Sequence, residues 1–124
     1  MVVTYYGKGF DWKMINTRLL RWQSEPLKKM LHIDMFFTLG HHLLTARRSQ
    51  AHLLDWLQID STADEKPIMG DVAKKMSVSA EEWNRVLSNP EKSMKTMVKR
   101  CESDVAGLEA LYRRTRHMIK DVKA

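Results

Sequence analysis

The chain has 124 residues, 44% of them apolar, with three prolines, five glycines, one cysteine and 21 Lys and Arg against 15 Asp and Glu. That length predicts one domain able to bury a core without staples. The lone Cys101 excludes an intramolecular disulfide, no Cys/His set has structural zinc spacing, and no apolar run approaches the ~20 residues of a membrane helix.

With a single cysteine a reducing compartment is expected, and the stretch Met1–Trp12 lacks the apolar core of a signal peptide. The net charge of +6 is uneven. Residues 1–60 carry eight cations against five anions, residues 61–90 four against five, and residues 91–124 nine against five.

In chain order, Val2 to Gly9 reads as part of an extended arm over residues 1–10, with residues 11–124 as one helical domain. From Asp11 to Trp22, the apolar residues Trp12, Ile15, Leu19 and Trp22 recur at three- and four-residue steps, which predicts an amphipathic helix. Pro26 can occupy the first turn of a second helix running to about Leu39, and Gly40 stops it. Thr45 then caps a third helix through Leu57, with Leu53, Leu54, Trp56 and Leu57 on its buried face. Asp60 to Lys66 is a polar loop.

Residues 67–88 read as a helix–turn–helix-like unit. Val72, Ala73 and Met76 share one face of a short helix, Ser77-Val78-Ser79 breaks it, and Ser79 with Glu82 forms a capping box for the next helix. A DNA reader presents cations and amides from its first recognition turn, whereas this one presents Ala80, Glu81 and Glu82 in the acidic part of the chain. The unit therefore reads as packing rather than DNA recognition. Asn89-Pro90 opens a long helix over residues 90–122. Its seam residues Met94, Val98, Cys101, Val105, Leu108, Tyr112, Thr115, Ile119 and Val122 alternate steps of four and three. A 3.5-residue period predicts packing along another helix, with Gly107 a candidate kink and Cys101 a small core residue.

No catalytic constellation is visible. His32, His41, His42 and His52 have no accompanying carboxylate pair or metal-binding motif. A pocket joining His42 or His52 to a carboxylate would be the sign of an enzyme, and none is expected; no catalytic, cofactor or metal residue is assigned. The candidate partner-binding residues are Trp12 and Trp22, as aromatic anchors, and the basic set Arg113, Arg114, Arg116 and Lys120, facing an acidic protein surface.

Four further features are ordered along the chain. Glu25-Pro26-Leu27 precedes Leu43-Leu44-Thr45-Ala46; Pro67, Ala73 and Ser79 follow; Met97-Val98 then lies fifteen positions before Tyr112. In this order and spacing they resemble the upstream conserved portion of primary-type bacterial and plastid sigma factors, over about residues 25–114. The resemblance implies a sigma-like helical fold and, since no promoter-reading region matches, no promoter recognition. Glu102 and Asp104 also stand where that family has apolar residues, and Cys101 where it has asparagine.

The expectation is thus an all-α domain of five or six helices with a helix–turn–helix-like unit and a long C-terminal helix. Its expected role is a non-catalytic accessory subunit of a larger organellar assembly, with a photosystem's stromal side in the plastid as the concrete candidate and mitochondrion or cytoplasm as other compartments. The alternative is a sigma-like transcription module binding RNA polymerase or DNA, nucleic acid being the less favoured partner.

Overall fold

The structure, a computed structural model, describes residues 1–59 and 80–119. Its elements are β1 (Val2–Thr4), α1 (Asp11–Arg21), β2 (His32–Asp34), α2 (Met35–His42), α3 (Gln50–Trp56), α4 (Ala80–Ser88) and α5 (Pro90–Ile119). The protein is mostly helical, with one long C-terminal helix, but it is not all-α. β1 and β2 pair in parallel, with Val2 opposite His32, Val3 opposite Ile33 and Thr4 opposite Asp34. Parallel strands need a crossover, and α1 supplies it.

The chain divides into two compact units, Met1–Gln50 with Thr115–Ala124, and Ala51–Arg114. In the first, Ile33, Met35 and Leu39 are buried, so β2 and the start of α2 supply its core. In the second, Leu53, Ile59, Met97, Ala110 and Leu111 are buried. No described helix is long and apolar enough to cross a membrane.

α1 forms where its period predicts, with Asp11 in the first turn and Arg18 and Arg21 in the last, each suiting the helix dipole. None of its residues is fully buried. The second expected helix is replaced. Residues 24–31 are irregular, and the Leu27 amide donates to the Asn16 side-chain oxygen at 2.8 Å instead of entering a helical ladder. His32 to Asp34 is then drawn into the sheet by β1, a pairing across about thirty residues that local periodicity cannot report. Gly40 lies inside α2 rather than ending it, and a Cβ there would overlap the Arg48 guanidinium. The third helix starts at Gln50, because the Thr45 hydroxyl donates to the Arg47 carbonyl at 2.8 Å in a local turn. Of its predicted buried face, Leu53 is buried and Trp56 is exposed.

The first helix and turn of the expected 67–88 unit lie outside the described residues; its last helix is α4. α5 begins at Pro90 as predicted, but it buries a different face. Met94, Val98, Cys101 and Val105 are exposed, whereas Met97, Ser103, Gly107, Ala110 and Leu111 are buried. The seam and the buried face meet only at Thr115 and Ile119. The buried positions Ser103, Gly107, Ala110, Leu111, Thr115 and Ile119 follow three- and four-residue steps of their own, on a stripe that joins small residues to Leu111 and Ile119. Cys101 is an exposed thiol, not a core residue.

A pair of substitutions on α5 tests this face. Leu111→Ala should lower the unfolding free energy by about 2–5 kcal/mol, while Val105→Ala should change it by no more than about 0.5 kcal/mol. Urea denaturation reads both, and a loss at Val105 equal to that at Leu111 would return the buried face to the 3.5-residue seam.

Candidate functional site

β1 ends at Thr4 and α1 begins at Asp11, so the six residues Tyr5-Tyr6-Gly7-Lys8-Gly9-Phe10 must turn the chain tightly. Asp34, the last residue of β2, holds that turn. Its carboxylate is 2% exposed and accepts from three backbone amides. Oδ1 takes the Tyr6 N–H at 2.8 Å and the Phe36 N–H at 3.1 Å, and Oδ2 takes the Lys8 N–H at 2.9 Å. The Phe36 bond makes Asp34 the N-cap of α2. One buried charge thus joins the end of the sheet, the start of a helix and the loop.

The loop backbone is strained where the carboxylate grips it. Tyr6 has φ 62°, in the left-handed region that costs a non-glycine residue on the order of 1–3 kcal/mol. Both glycines sit where a side chain would collide. A Cβ on Gly7 would lie 2.5 Å from the Thr4 side chain, and one on Gly9 would overlap the Tyr6 ring. The Gly9 and Phe10 amides both donate to the Tyr6 carbonyl at 3.1 Å, and the Trp12 amide to the Gly7 carbonyl at 2.8 Å, so the loop winds directly into α1.

Aromatic rings back the loop. Phe36 meets Tyr5 edge-on with centroids 5.9 Å apart, Tyr6 at 4.8 Å and Phe37 at 5.2 Å, and the Arg48 guanidinium lies 4.3 Å above it. The Tyr5 hydroxyl donates to the Arg48 carbonyl. Burial pushes the Tyr5 phenol up to about 12, against a smaller opposing pull from Arg48. His32 packs on Trp12 with ring centroids 4.7 Å apart, and its Nε2 lies 2.7 Å from the Thr4 hydroxyl. Desolvation and then Lys8 hold this imidazole below its ordinary range, with Asp34 opposing them.

Facing solvent, the loop and the first residue of α1 present Tyr6, Lys8, Phe10 and Asp11. They stand at the carboxyl end of a parallel sheet, where open α/β sheets bind their ligands. Two exposed aromatic side chains, a cation and a carboxylate suit stacking, phosphate contact and a share in holding a divalent cation.

The sequence-expected partner residues have varied settings. Trp12 is half-buried against His32, while Trp22 is exposed just past α1. Arg113 pairs with Glu109 one turn back, N···O 3.0 Å. Arg114 donates to the Leu57 carbonyl at 3.1 Å and the Gln58 carbonyl at 3.5 Å, serving the carbonyls that follow α3. Arg116 is exposed in the last turn of α5, and Lys120 lies outside the described residues. His52 stacks on Trp56 and His42 ends α2, each in a helical setting. Among the described residues, no three His, Cys, Asp or Glu side chains gather as a metal cage.

The model of a protein family described as the RNase H superfamily matches residues 1–116. The chain belongs to the RNase H superfamily. No curated protein and no solved structure matches it. Membership overturns the sigma-factor resemblance and, with it, the reading as a photosystem accessory subunit or a sigma-like module. Glu25-Pro26-Leu27 and Leu43-Leu44-Thr45-Ala46, two of the features behind the resemblance, fall in irregular chain rather than in helices. The plastid expectation drew its support from that resemblance. In the superfamily setting, the loop read as an extended arm becomes the candidate site. Its sequence signal was G-x-G-F-D following three β-branched residues, Val2-Val3-Thr4.

Asp34→Ala removes the only acceptor in the described structure for the Tyr6 and Lys8 amides and should cost at least about 3 kcal/mol, with Asp34→Asn costing less. Exchange of those two amides with solvent should speed up in Asp34→Ala, and unchanged exchange would rule the anchor out. The Tyr5 shift predicts a phenol titrating at about 12 that vanishes in Tyr5→Phe. The unfolded chain releases this proton from about pH 10 upward while the fold retains it. Stability should therefore fall as pH rises from 10 to 12, and less steeply in Tyr5→Phe.

Proposed function

We propose that this chain binds a nucleic-acid strand through the Tyr5–Asp11 loop. The observation that carries the reading is the superfamily match spanning the loop. The loop's chemistry supports it. Tyr6 and Phe10 are exposed aromatic side chains, the residue type that stacks on bases, a contact worth about 1–3 kcal/mol per base. Lys8 offers an ammonium to a phosphate, and the strained, anchored backbone keeps these groups preorganised. The ribonuclease name makes RNA the first strand to test.

Phosphodiester hydrolysis on two divalent ions takes a set of carboxylates. Within the loop unit, Asp34 is committed to three amides and Asp11 is the loop's one exposed carboxylate. Asp11 can contribute one ligand to such a set, and strand binding is the part of the reading that the loop's own residues carry.

Fluorescence anisotropy of a labelled single-stranded RNA against the whole chain, over a salt series with and without Mg²⁺, tests it. Wild type should bind with a negative salt slope, and Lys8→Gln should reduce that slope by about 0.7. Cleavage in Mg²⁺ that Asp11→Asn abolishes would add a hydrolytic role to the loop, and absence of binding at low salt would sink the reading.

A further inference from the structure

A second polar site lies in the other unit, where α4 and α5 meet. Only Asn89 separates the two helices, and the ladder runs through it: the Asn89 amide donates to the Arg85 carbonyl at 2.7 Å, and the Ser93 amide to the Asn89 carbonyl at 3.2 Å. Pro90 has no N–H, so the Val86 carbonyl loses the partner that an unbroken helix would give it. Loss of one rung is a recognised cause of helix bending.

At this junction is a cleft of about 290 Å³ lined by Arg85, Asn89, Lys92, Ser93, Thr96 and the buried Met97. Its polar lining is two cations, a carboxamide and two hydroxyls, with no carboxylate. Arg85 has a loose pairing with Glu81, N···O 3.9 Å between exposed side chains, which holds it weakly. The row continues along α5 to the exposed Lys99, because Arg85, Asn89, Lys92, Thr96 and Lys99 follow steps of four, three, four and three on one helical face. Glu91 and Glu102 fall outside these steps.

We propose that this cleft is a phosphodiester-binding subsite for the nucleic-acid strand, an inference that rests on the strand-binding reading above. The guanidinium and ammonium neutralise the phosphate, and the carboxamide and hydroxyls donate to its unesterified oxygens. Lys99 meets a neighbouring phosphate along the same strand.

The test is anisotropy of labelled single-stranded RNA with the full chain, across a salt series. Arg85→Gln and Lys92→Gln should each reduce the salt slope by about 0.7, and the double variant by about 1.4. Thr96→Val, which keeps the charge, should weaken binding at every salt concentration and leave the slope unchanged. Lys95→Gln makes the same charge change on the same helix outside the cleft and should leave the slope as in wild type. If Lys95→Gln matches Arg85→Gln and Lys92→Gln, and Thr96→Val does nothing, the cleft is only part of a diffuse basic surface and the assignment falls while strand binding stands. Wild type that binds no RNA sinks both. Displacement of RNA by inorganic phosphate at matched ionic strength, lost in Arg85→Gln, would make this a free-anion site and overturn the diester assignment.

Discussion

Much of the first unit depends on the carboxylate of Asp34. A buried anion is tolerated when charge-assisted hydrogen bonds replace its water, and here three backbone amides do so. The bonds reach three places at once: the α2 N-terminus, where the helix dipole also favours a negative charge, and two points on the loop after β1. The parallel pairing of β1 with β2 brings the carboxylate there, since Asp34 lies opposite Thr4, the residue where the loop begins. Without the pairing the carboxylate has no loop to hold, and without the carboxylate the left-handed turn at Tyr6 loses its compensation.

That anchor gives the loop its functional character. Gly7 and Gly9 admit the close approach of Thr4 and the Tyr6 ring, and the Tyr5–Phe36–Arg48 stack backs the loop. Rigid backing leaves Tyr6, Lys8, Phe10 and Asp11 turned to solvent in one short arc. A preorganised surface of aromatic and charged groups gives up little entropy when a ligand is ordered on it, which suits the proposed strand binding. The α4–α5 cleft lies at a junction where Pro90 cannot donate a helical rung, and it presents cations and hydroxyls rather than rings.

The sigma-factor resemblance had a definite physical source. Short apolar runs, prolines at helix starts and small residues near turns are demands common to many helical chains. Order and spacing alone can therefore match a family whose tertiary contacts are absent. Glu25-Pro26-Leu27 has the composition of a helix start, yet the Leu27 amide is taken by the Asn16 side chain. The superfamily match covers the N-terminal arm that the resemblance left out, which is where the candidate loop lies.

Local chemistry decided what could be read directly. Helix α1 was legible because its three- and four-residue period and charged ends act within single turns. The start of α5 was legible because Asn-Pro is a helix-entry signal wherever it stands, and the lack of a membrane-spanning run was legible from hydropathy. Tertiary structure decided the rest. Strand β2 exists because β1 pairs with it, and the role of Asp34 exists because that pairing brings an acid beside a distant turn. The buried face of α5 runs through Ser103, Gly107, Ala110 and Leu111, while the similarly apolar Val98 and Val105 stay exposed. Each of these depends on which parts of the chain become neighbours in space, and hydrophobic period carries no information about neighbours about thirty residues away.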